Sequence, residues 1–268
     1  MVKQKVGRIV RLTEDRIRQL LRLHESDDKL ARQSQSFWTR PMDKGNSLWW
    51  HARDSTIFNE AEQNWQAMGR RHTGLFAEFA RAAGIERPVR SIVDWGSGGG
   101  ANAVAFSDDC QEIHCVDVSE AALAECGRQL SAHNPSCNFR PVLITVPNPE
   151  AALELIPNGS IDLFVSFYVF ELLPSPEHGA RVLRIAHQLL RPGGVCFIQI
   201  KYQTDSWMTR TRRWAYTRSA ANMTSYRVEA FWELAEQCGF LPKTITLVPN
   251  PPEVPDKRYA YFMLQKPA

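Results

Sequence analysis

The sequence predicts an α/β fold built on one mostly parallel sheet, and three observations carry that prediction. Apolar segments of strand length alternate with amphipathic helical segments from residue 91 to residue 200, which is typical of parallel strands joined by right-handed crossovers. A glycine-rich turn follows the first of these apolar segments. Two further apolar segments near the end of the chain flank a proline-rich loop and predict a hairpin at one edge of the sheet.

The individual elements follow from hydrophobic periodicity. Helices are expected over residues 13–33 and 60–83, and the segment between them is rich in aromatic residues. Strands are expected at residues 91–96, 112–117, 139–145, 161–169, 193–200, 243–249 and 258–266, and helices between them at 101–109, 119–132, 148–156, 177–190 and 226–238. The predicted fold class is therefore a Rossmann-like seven-stranded sheet with helices on both faces and an N-terminal helical and aromatic extension.

Composition and charge exclude several classes of protein. The 268 residues are 44% hydrophobic, which is ordinary for a globular chain. No apolar run reaches the roughly 18 residues that span a bilayer, and the charged start Met1–Lys5 is not followed by the apolar stretch of a secretory signal. Six cysteines without Cys-x-x-Cys spacing favour a reduced, cytoplasmic protein with no metal site. A net charge of +3 is too small to indicate nucleic-acid binding.

The glycine-rich turn predicts a bound small molecule. Gly96, Gly98 and Gly100 stand at alternate positions, and the lack of a Cβ lets the backbone approach a ligand closely. The helix that begins near Asn102 offers free N–H groups. Asp117 ends the next predicted strand 21 residues after Gly96, close to the roughly 20 expected for an acid that binds a ribose. A nucleoside-bearing cofactor is therefore expected.

Asp94 decides which cofactor is expected. Residues 96–101 also satisfy a dinucleotide fingerprint, but a pyrophosphate about 5 Å from the Asp94 carboxylate would cost several kcal/mol at an effective dielectric near 20. S-adenosylmethionine instead brings a sulfonium and an ammonium group, which an acid favours. The spacing acid-x-Gly-x-Gly-x-Gly resembles the first motif of the class I S-adenosylmethionine-dependent methyltransferases.

The resemblance continues along residues 91–201. Asp117 matches the acid that holds the ribose hydroxyls, Ser160–Pro174 resembles the fourth strand with the loop that covers the methyl group, and Leu190–Ile200 is similar to the Pro-Gly-Gly turn into the fifth strand. The resemblance implies S-adenosyl-L-methionine as cofactor. Its predicted binding residues are Asp94, Trp95, Gly96, Ser97, Gly98, Gly100, Asn102, Asp117, Val118, Ser166 and Phe167.

Two departures from the family limit the resemblance. Many relatives carry Glu-His where this chain has Glu171-Leu172, so a histidine base cannot be carried over to that place. The family often has an acid near the adenine after the third strand, whereas this chain reads Pro141–Val146 without one. Recognition of the adenine is therefore open, with apolar contacts and backbone hydrogen bonds as the expectation.

Methyl transfer is an in-line displacement, which depends on alignment and on exclusion of water. A hydroxyl acceptor also needs a base, whereas a free amine does not. The candidate catalytic residues are Glu171, just past the fourth strand, and His72 and His51 in the N-terminal region. Glu171 has the alternative of anchoring its own loop. His178 and His187 are assigned to packing or to the surface.

The acceptor is expected at the carboxyl ends of the strands, between the aromatic N-terminal region and residues 202–224. The candidate binding residues are Trp50, Arg53, Tyr168, Tyr202 and Arg210. A tryptophan over the sulfonium would gain about 0.5–2 kcal/mol, and arginines suit a carboxylate or phosphate. The alternatives are tryptophans that pack the N-terminal helices and arginines that lie on a solvated surface.

The predicted domains are an N-terminal helical extension and substrate lid at residues 1–88 and a methyltransferase domain at 89–268, with a substrate-binding insertion at 202–224. The predicted reaction is O-methylation of a small-molecule acceptor such as a sugar, a phenol or another natural product. Methylation of RNA or protein, an NAD-dependent reductase and a non-catalytic cofactor-binding partner stay open as alternatives. Neither a membrane nor a nucleic acid is an expected partner, and a homodimer stays open.

Overall fold

A computed structural model describes residues 13–40, 61–85, 89–219, 223–248 and 258–268. The predicted site residues Trp50, His51 and Arg53 lie outside these ranges. The strands are β1 Ser91–Trp95, β2 Glu112–Asp117, β3 Asn138–Leu143, β4 Ile161–Ser166, β5 Leu190–Lys201, β6 Leu241–Val248 and β7 Tyr259–Gln265.

The helices lie before, between and after these strands. Residues 13–20 are helical and are called α1. The others are α2 Asp27–Trp38, α3 Ala61–Ala82, α4 Ala101–Ser107, α5 Glu120–His133, α6 Ala152–Leu155, α7 Pro176–Leu189, α8 Tyr216–Ser219 and α9 Val228–Gln237, with short 3-10 turns at Pro149–Ala151 and Trp207–Thr209. None of the helices in the described ranges is long and apolar enough to cross a membrane.

The seven strands form one sheet in the order β3-β2-β1-β4-β5-β7-β6. Strands β1 to β5 pair in parallel, and β7 runs antiparallel to both β5 and β6. This confirms the predicted fold class, including the hairpin at one edge. Because strand side chains alternate between faces, Phe164 joins the core cluster under α7 and α9, while its neighbours Leu163 and Val165 join the cluster under α3, α4 and α5.

The strand order reverses between β1 and β4, and this reversal positions the site. From β1 the chain proceeds outward to β2 and β3, and then returns to place β4 on the other side of β1. The loops after β1 and β4 therefore diverge at their carboxyl ends and leave a crevice, which is the usual ligand position in open α/β sheets. The glycine turn, Asp117 and the loop after β4 all border this crevice.

The N-terminal region differs from the single helix that was predicted over residues 13–33. Residues 21–26 separate α1 from α2, and Arg22 adopts a left-handed conformation with φ 52°. Ser26 begins α2 because its hydroxyl accepts a hydrogen bond from Lys29 N, and Asp27 and Asp28 favour the positive end of the helix dipole. The start of α2 at Asp27 therefore interrupts the helical periodicity that runs through residues 13–33.

Residues 13–38 and residues 203–219 pack on each other, and we call this pair of segments the N-terminal clasp. Trp214 Nε1 donates to Asp15 Oδ1 at 2.9 Å, and Ala215 N donates to Glu25 Oε2 at 3.3 Å. Arg213 bridges Asp27, at 2.6 Å, to Glu177 of α7, at 3.0 Å. The cluster of arginines in the second segment thus faces acids of the first segment and the start of α7.

Candidate active site

The glycine turn adopts a backbone that only glycine takes up without strain. Gly96, Gly98 and Gly100 have φ values of 76°, 51° and 94°. A Cβ on Gly96 would lie 2.3 Å from Val169 Cγ2, and one on Gly100 would lie 2.9 Å from Cys126 Sγ. Both conformation and space therefore require glycine at these two positions. Gly100 acts through packing, because it is not in the wall of the cavity that the turn borders.

Asp117 is held at the edge of this cavity by two backbone groups. Its Oδ2 accepts from Gly98 N at 3.0 Å, and its Oδ1 accepts from Ser119 N at 2.9 Å. Each carboxylate oxygen has a second lone pair. Asp117 can therefore accept from two further donors, as the two hydroxyls of a ribose would require.

Asp94 lies beneath the turn and is 1% exposed. Burial, followed by the nearby charge of Asp117, raises the pKa of Asp94 to about 7, and the N–H of Ala103 offsets part of this. Neither carboxylate oxygen has a donor in hydrogen-bonding geometry within the described ranges. A cation bound at the turn would stabilise the ionised form. The buried acid therefore fits a positively charged ligand, and this agrees with the prediction made from its spacing.

The cavity encloses about 1010 Å³ including its open mouth, and its wall is mainly apolar. This size and lining are typical of small-molecule sites. Nine of the predicted site residues lie in the wall: Trp95, Gly96, Ser97, Gly98, Asn102, Asp117, Val118, Phe167 and Tyr168. Ser166 lies behind it, where its hydroxyl donates to the carbonyl of Trp95 at 3.1 Å and ties β4 to β1.

Helix α2 forms part of the wall through Ser34 and Trp38. It is fixed to the loop after β3, because Gln35 Oε1 accepts from Val146 N at 2.6 Å. The sequence gives no signal for this role, since polar residues on an amphipathic helix usually face solvent. The wall also contains Met68, Ala101, Val116, Ile144, Thr145, Val146, Pro149, Val169, Leu172, Leu173 and His178.

Tyr216 connects α2 to the loop after β4. It is fully buried, its hydroxyl accepts from Trp38 Nε1 at 2.7 Å, and it donates to the carbonyl of Leu172. Burial raises the pKa of Tyr216 to about 12, so the phenol keeps the proton that it donates. Helix α2 is thus bonded to the residues after both β3 and β4, which lie on either side of the glycine turn.

Tyr168 is held in a strained conformation where β4 ends. Its φ is 57°, which is unfavourable for a bulky residue. The backbone N–H of Tyr168 donates to Gln199 Oε1, and its ring packs edge-on against Tyr259 at 5.1 Å. The strand therefore stops at Ser166 and not at residue 169 as predicted. Strain of this kind is often found at ligand-binding sites.

His72 is fully buried behind the wall. Its Nδ1 lies 2.7 Å from Asn102 Oδ1, its Nε2 lies 3.2 Å from Tyr261 Oη, and its ring stacks on Phe167 at 4.0 Å. Burial lowers the pKa of His72 to about 4. Both ring nitrogens of His72 are thus engaged and the residue is not in the cavity wall, a position from which it orients Asn102 and Phe167; a catalytic role for His72 stays a prediction.

Glu171 keeps a position close to the cavity. It is 3% exposed and directly precedes Leu172 of the wall. Its backbone carbonyl accepts from Thr224 N at 3.1 Å. Burial raises the pKa of both Tyr168 and Tyr216, and the charge of Glu171 adds to the rise. Glu171 is not itself in the wall of the cavity.

Tyr202 and Arg210 do not reach the cavity wall. The carbonyl of Tyr202 accepts from Arg258 Nη1 at 2.6 Å, and Tyr202 pairs as an isolated bridge with Tyr226. Arg210 is exposed beside the short 3-10 turn. Within the described ranges, no group of histidine, cysteine and acidic side chains could hold a metal ion.

The family of the chain is decided by a match of residues 68–242 to a methyltransferase-domain model. The chain belongs to this family. It is an S-adenosylmethionine-dependent methyltransferase. The match begins within α3 and ends within β6, so α2 and its contribution to the cavity lie outside it. A search of curated proteins gave no match.

Solved structures share the fold at low sequence identity. The magnesium protoporphyrin IX methyltransferase of Synechocystis, with S-adenosylhomocysteine bound, has a TM-score of 0.56 and 9% identity over 78% of this chain and 88% of its own. The 1,6-didemethyltoxoflavin-N1-methyltransferase of Burkholderia thailandensis has a TM-score of 0.53 and 19% identity over 76% and 77%. The N-methyltransferase NodS of Bradyrhizobium japonicum has a TM-score of 0.54 and 13% identity over 76% and 97%. These likenesses establish the fold alone.

The residues of the cavity fit S-adenosylmethionine. Asp117 offers acceptors for ribose hydroxyls, the glycine turn admits close backbone contact, and Asp94 supplies a buried acid for a cationic ligand. The apolar wall suits the remainder of the molecule.

Proposed function

We propose that this methyltransferase acts on a hydroxyl group of a small, uncharged organic molecule. The observation that carries the proposal is the position of α2 in the cavity wall. Gln35 bonds this helix to Val146, and Trp38 bonds it through Tyr216 to Leu172. Because α2 covers the cofactor cavity, an acceptor must enter a covered space to reach the cofactor, which favours a small molecule over the surface of an RNA or a protein.

The ion pairs of the N-terminal clasp argue against an anionic acceptor. Arg213 contacts two acids, Arg212 lies 3.5 Å from Asp15, and Arg218 lies 3.6 Å from Glu14. These arginines are engaged within the chain, which removes the reason to expect a carboxylate or phosphate on the acceptor. The wall is mainly apolar and includes aromatic rings, so among the hydroxyl acceptors considered a phenol is favoured over a sugar.

Bound S-adenosylmethionine supplies an electrophilic methyl group on a sulfonium. The chain aligns the acceptor oxygen with that methyl carbon and excludes water through α2 and the loop after β4. The carbon–oxygen bond forms as the carbon–sulfur bond breaks, and the electron pair of the carbon–sulfur bond passes to sulfur. We assign removal of the hydroxyl proton to the Glu171 carboxylate, which is buried next to Leu172 of the wall but is not itself in the wall, so the proton reaches it through one water or a wall group.

The reaction is tested with S-adenosylmethionine that carries a deuterated methyl group. The protein is incubated with matched sets of phenols, sugars, heteroaromatic amines and a mixed RNA, and the products are analysed by mass spectrometry. We expect the label on a phenolic hydroxyl. Label confined to RNA, to protein or to a ring nitrogen would overturn the proposal.

The base is tested with Glu171→Gln. For a hydroxyl acceptor we expect kcat to fall by roughly 10²–10⁴-fold, while the Kd for S-adenosylhomocysteine stays within about twofold. An equal loss of cofactor affinity would instead mean that Glu171 only anchors its loop. The cytoplasmic location and the homodimer stay predictions.

A further inference from the structure

The adenine end of the cavity can be located from the order of the strands. The glycine turn follows β1, Asp117 ends β2, and β3 lies on the far side of β2 from β1. If Asp117 holds the ribose and the turn faces the cationic half of the cofactor, the base lies on the β3 side of Asp117. The wall there is formed by residues 144–146 and by Pro149.

This end of the cavity lacks an acid to bind the base. The nearest carboxylate after β3 is Glu150, which is not in the wall and is ion-paired with Arg181 of α7. The polar side chains of the wall near this end, within the described ranges, are Ser34, Thr145 and His178. Ser34 already contacts the Tyr216 hydroxyl. The hydrogen-bonding edge of a purine must therefore be met in another way than by a carboxylate.

His178 is placed to meet that edge. It lies in the first turn of α7, where its backbone N–H donates to the Ser175 hydroxyl at 3.3 Å. The charged groups that act on its ring are Arg181, Glu150 and Asp27, which belong to α7, to the segment after β3 and to the start of α2.

The His178 ring is buried and yet makes no hydrogen bond to the described part of the chain. The residue is 7% exposed and lies in the cavity wall. No hydrogen bond of either ring nitrogen occurs within the described ranges. Neither ring nitrogen is among the fully buried polar atoms that lack a partner, so the nitrogens are open to a ligand that occupies the cavity.

We propose that His178 binds the adenine base of S-adenosylmethionine. A neutral imidazole carries one donor nitrogen and one acceptor nitrogen that point in different directions, so one of them can pair with the edge of adenine, either donating to a ring nitrogen or accepting from the amino group. Burial, and then the charge of Arg181, lowers the pKa of His178 to about 4, so the ring is neutral at physiological pH. The inference rests on the cofactor and does not depend on the acceptor.

The test is calorimetric binding of S-adenosylhomocysteine and of its inosine analogue, in which a 6-oxo group replaces the adenine amino group. The variants are His178→Phe, which keeps a ring, and His187→Phe on the same helix but outside the wall as the matched control. We expect His178→Phe to weaken S-adenosylhomocysteine binding by roughly 10–100-fold, and His187→Phe to leave it within about twofold.

The analogue separates a contact with the base from a general loss of affinity. The wild type is expected to prefer the adenine ligand, and His178→Phe is expected to lose most of that preference, which a double-mutant cycle measures. If His178→Phe keeps both the affinity and the preference, the proposal is wrong.

A second measurement does not depend on the folding of a variant. In the wild-type chain with ¹⁵N-labelled histidine, S-adenosylhomocysteine is expected to shift the ring nitrogen signals of His178 by NMR, with the signals of His187 unchanged. Unchanged His178 signals at saturating ligand would overturn the proposal. No acceptor is present in either assay, so these results are independent of the proposed O-methylation.

Discussion

The glycine turn and the N-terminal clasp both shape the cofactor cavity, but they are specified in opposite ways. The turn is local: four of the five residues 96–100 are glycines, three of them with a positive φ, and Asp117 accepts one hydrogen bond from Gly98 N. The clasp joins side chains up to 199 positions apart, such as Trp214 and Asp15. A turn conformation is specified by a few consecutive residues and can be predicted from them. A long-range contact is made by common residue types whose partners cannot be identified from the sequence.

The largest effect is expected from a side chain in the turn. Gly96→Ala places a Cβ 2.3 Å from Val169 at φ 76°, where the left-handed strain alone costs about 1–2 kcal/mol. We expect at least a roughly 100-fold loss of S-adenosylhomocysteine affinity by calorimetry, because the clash adds to the strain. Gly159→Ala is the matched control, with φ 69° and open space around it; an equal loss there would mean that strain, and not the turn, is responsible.

A second prediction concerns the buried acid under the turn. Because the pKa of Asp94 is raised from 3.8 to about 7, the folded protein holds a proton that the unfolded chain has lost between these pH values. The free energy of unfolding therefore falls as pH rises through this window, by at most about 4 kcal/mol. We expect Asp94→Asn to unfold at a higher temperature than the wild type at pH 8 and at a similar one at pH 4.

Asp162 provides a control of opposite sign. Arg191 and the N–H groups of Ser91 and Arg90 lower its pKa against the effect of burial. Its contribution to stability is present above the unfolded pKa and is lost as pH falls through the lower folded value. Asp162→Asn should therefore destabilise the protein at pH 8, and a stabilising effect at that pH would contradict the assignment.

The clasp is tested by removing one hydroxyl. Tyr216→Phe deletes the atom that bonds both Trp38 and Leu172, and we expect a loss of about 1–3 kcal/mol in the free energy of unfolding. The variant should also expose residues 13–38 to limited proteolysis and raise the KM for S-adenosylmethionine more than it lowers kcat. Tyr226→Phe is the control, since the buried Tyr226 hydroxyl has no hydrogen-bond partner in the described ranges. An equal effect at both positions would remove Tyr216 from its linking role.

The smallest effect is expected from an ion pair of the clasp. Arg213→Met keeps the apolar stem and removes the contacts with Asp27 and Glu177. Denaturant unfolding should show a loss of about 0.5–1 kcal/mol, which shrinks at high salt. Arg128→Met, at an exposed pair with Glu125, should leave the free energy of unfolding unchanged. Equal losses of stability in the two variants would show that ion pairs of the clasp are no stronger than an ordinary surface pair.

The sequence predicts the sheet well because its signals are local. The strands that contain Asp94 and Asp117 are short, mainly apolar runs with the acid at or next to their end, and the glycines mark the turn after the first of them. The sequence also contains a signal for the division of the first helix, since Ser26 followed by two aspartates is a typical helix start. The prediction missed this signal because the apolar periodicity continues on both sides of it.

The remaining parts of the site depend on distance in space. Nothing near Arg213 in the sequence identifies its partners, which lie 36 and 186 positions away. The same holds for His72: a histidine on an amphipathic helix can be a base or a core residue, and its burial and its contacts with Asn102 and Tyr261 cannot be read from the sequence. For His178 the sequence indicates packing or a surface position, and its place in the cavity wall with residues 144–146 becomes evident only in the folded chain.

Asp94 has a consequence for the order of events in turnover. The methyl donor carries a sulfonium charge, and the product S-adenosylhomocysteine does not. A buried carboxylate close to that charge therefore stabilises the donor complex more than the product complex, and the difference arises at the moment of transfer. If Asp94 binds the donor as predicted, we therefore expect this one side chain to favour both the binding of S-adenosylmethionine and the release of S-adenosylhomocysteine.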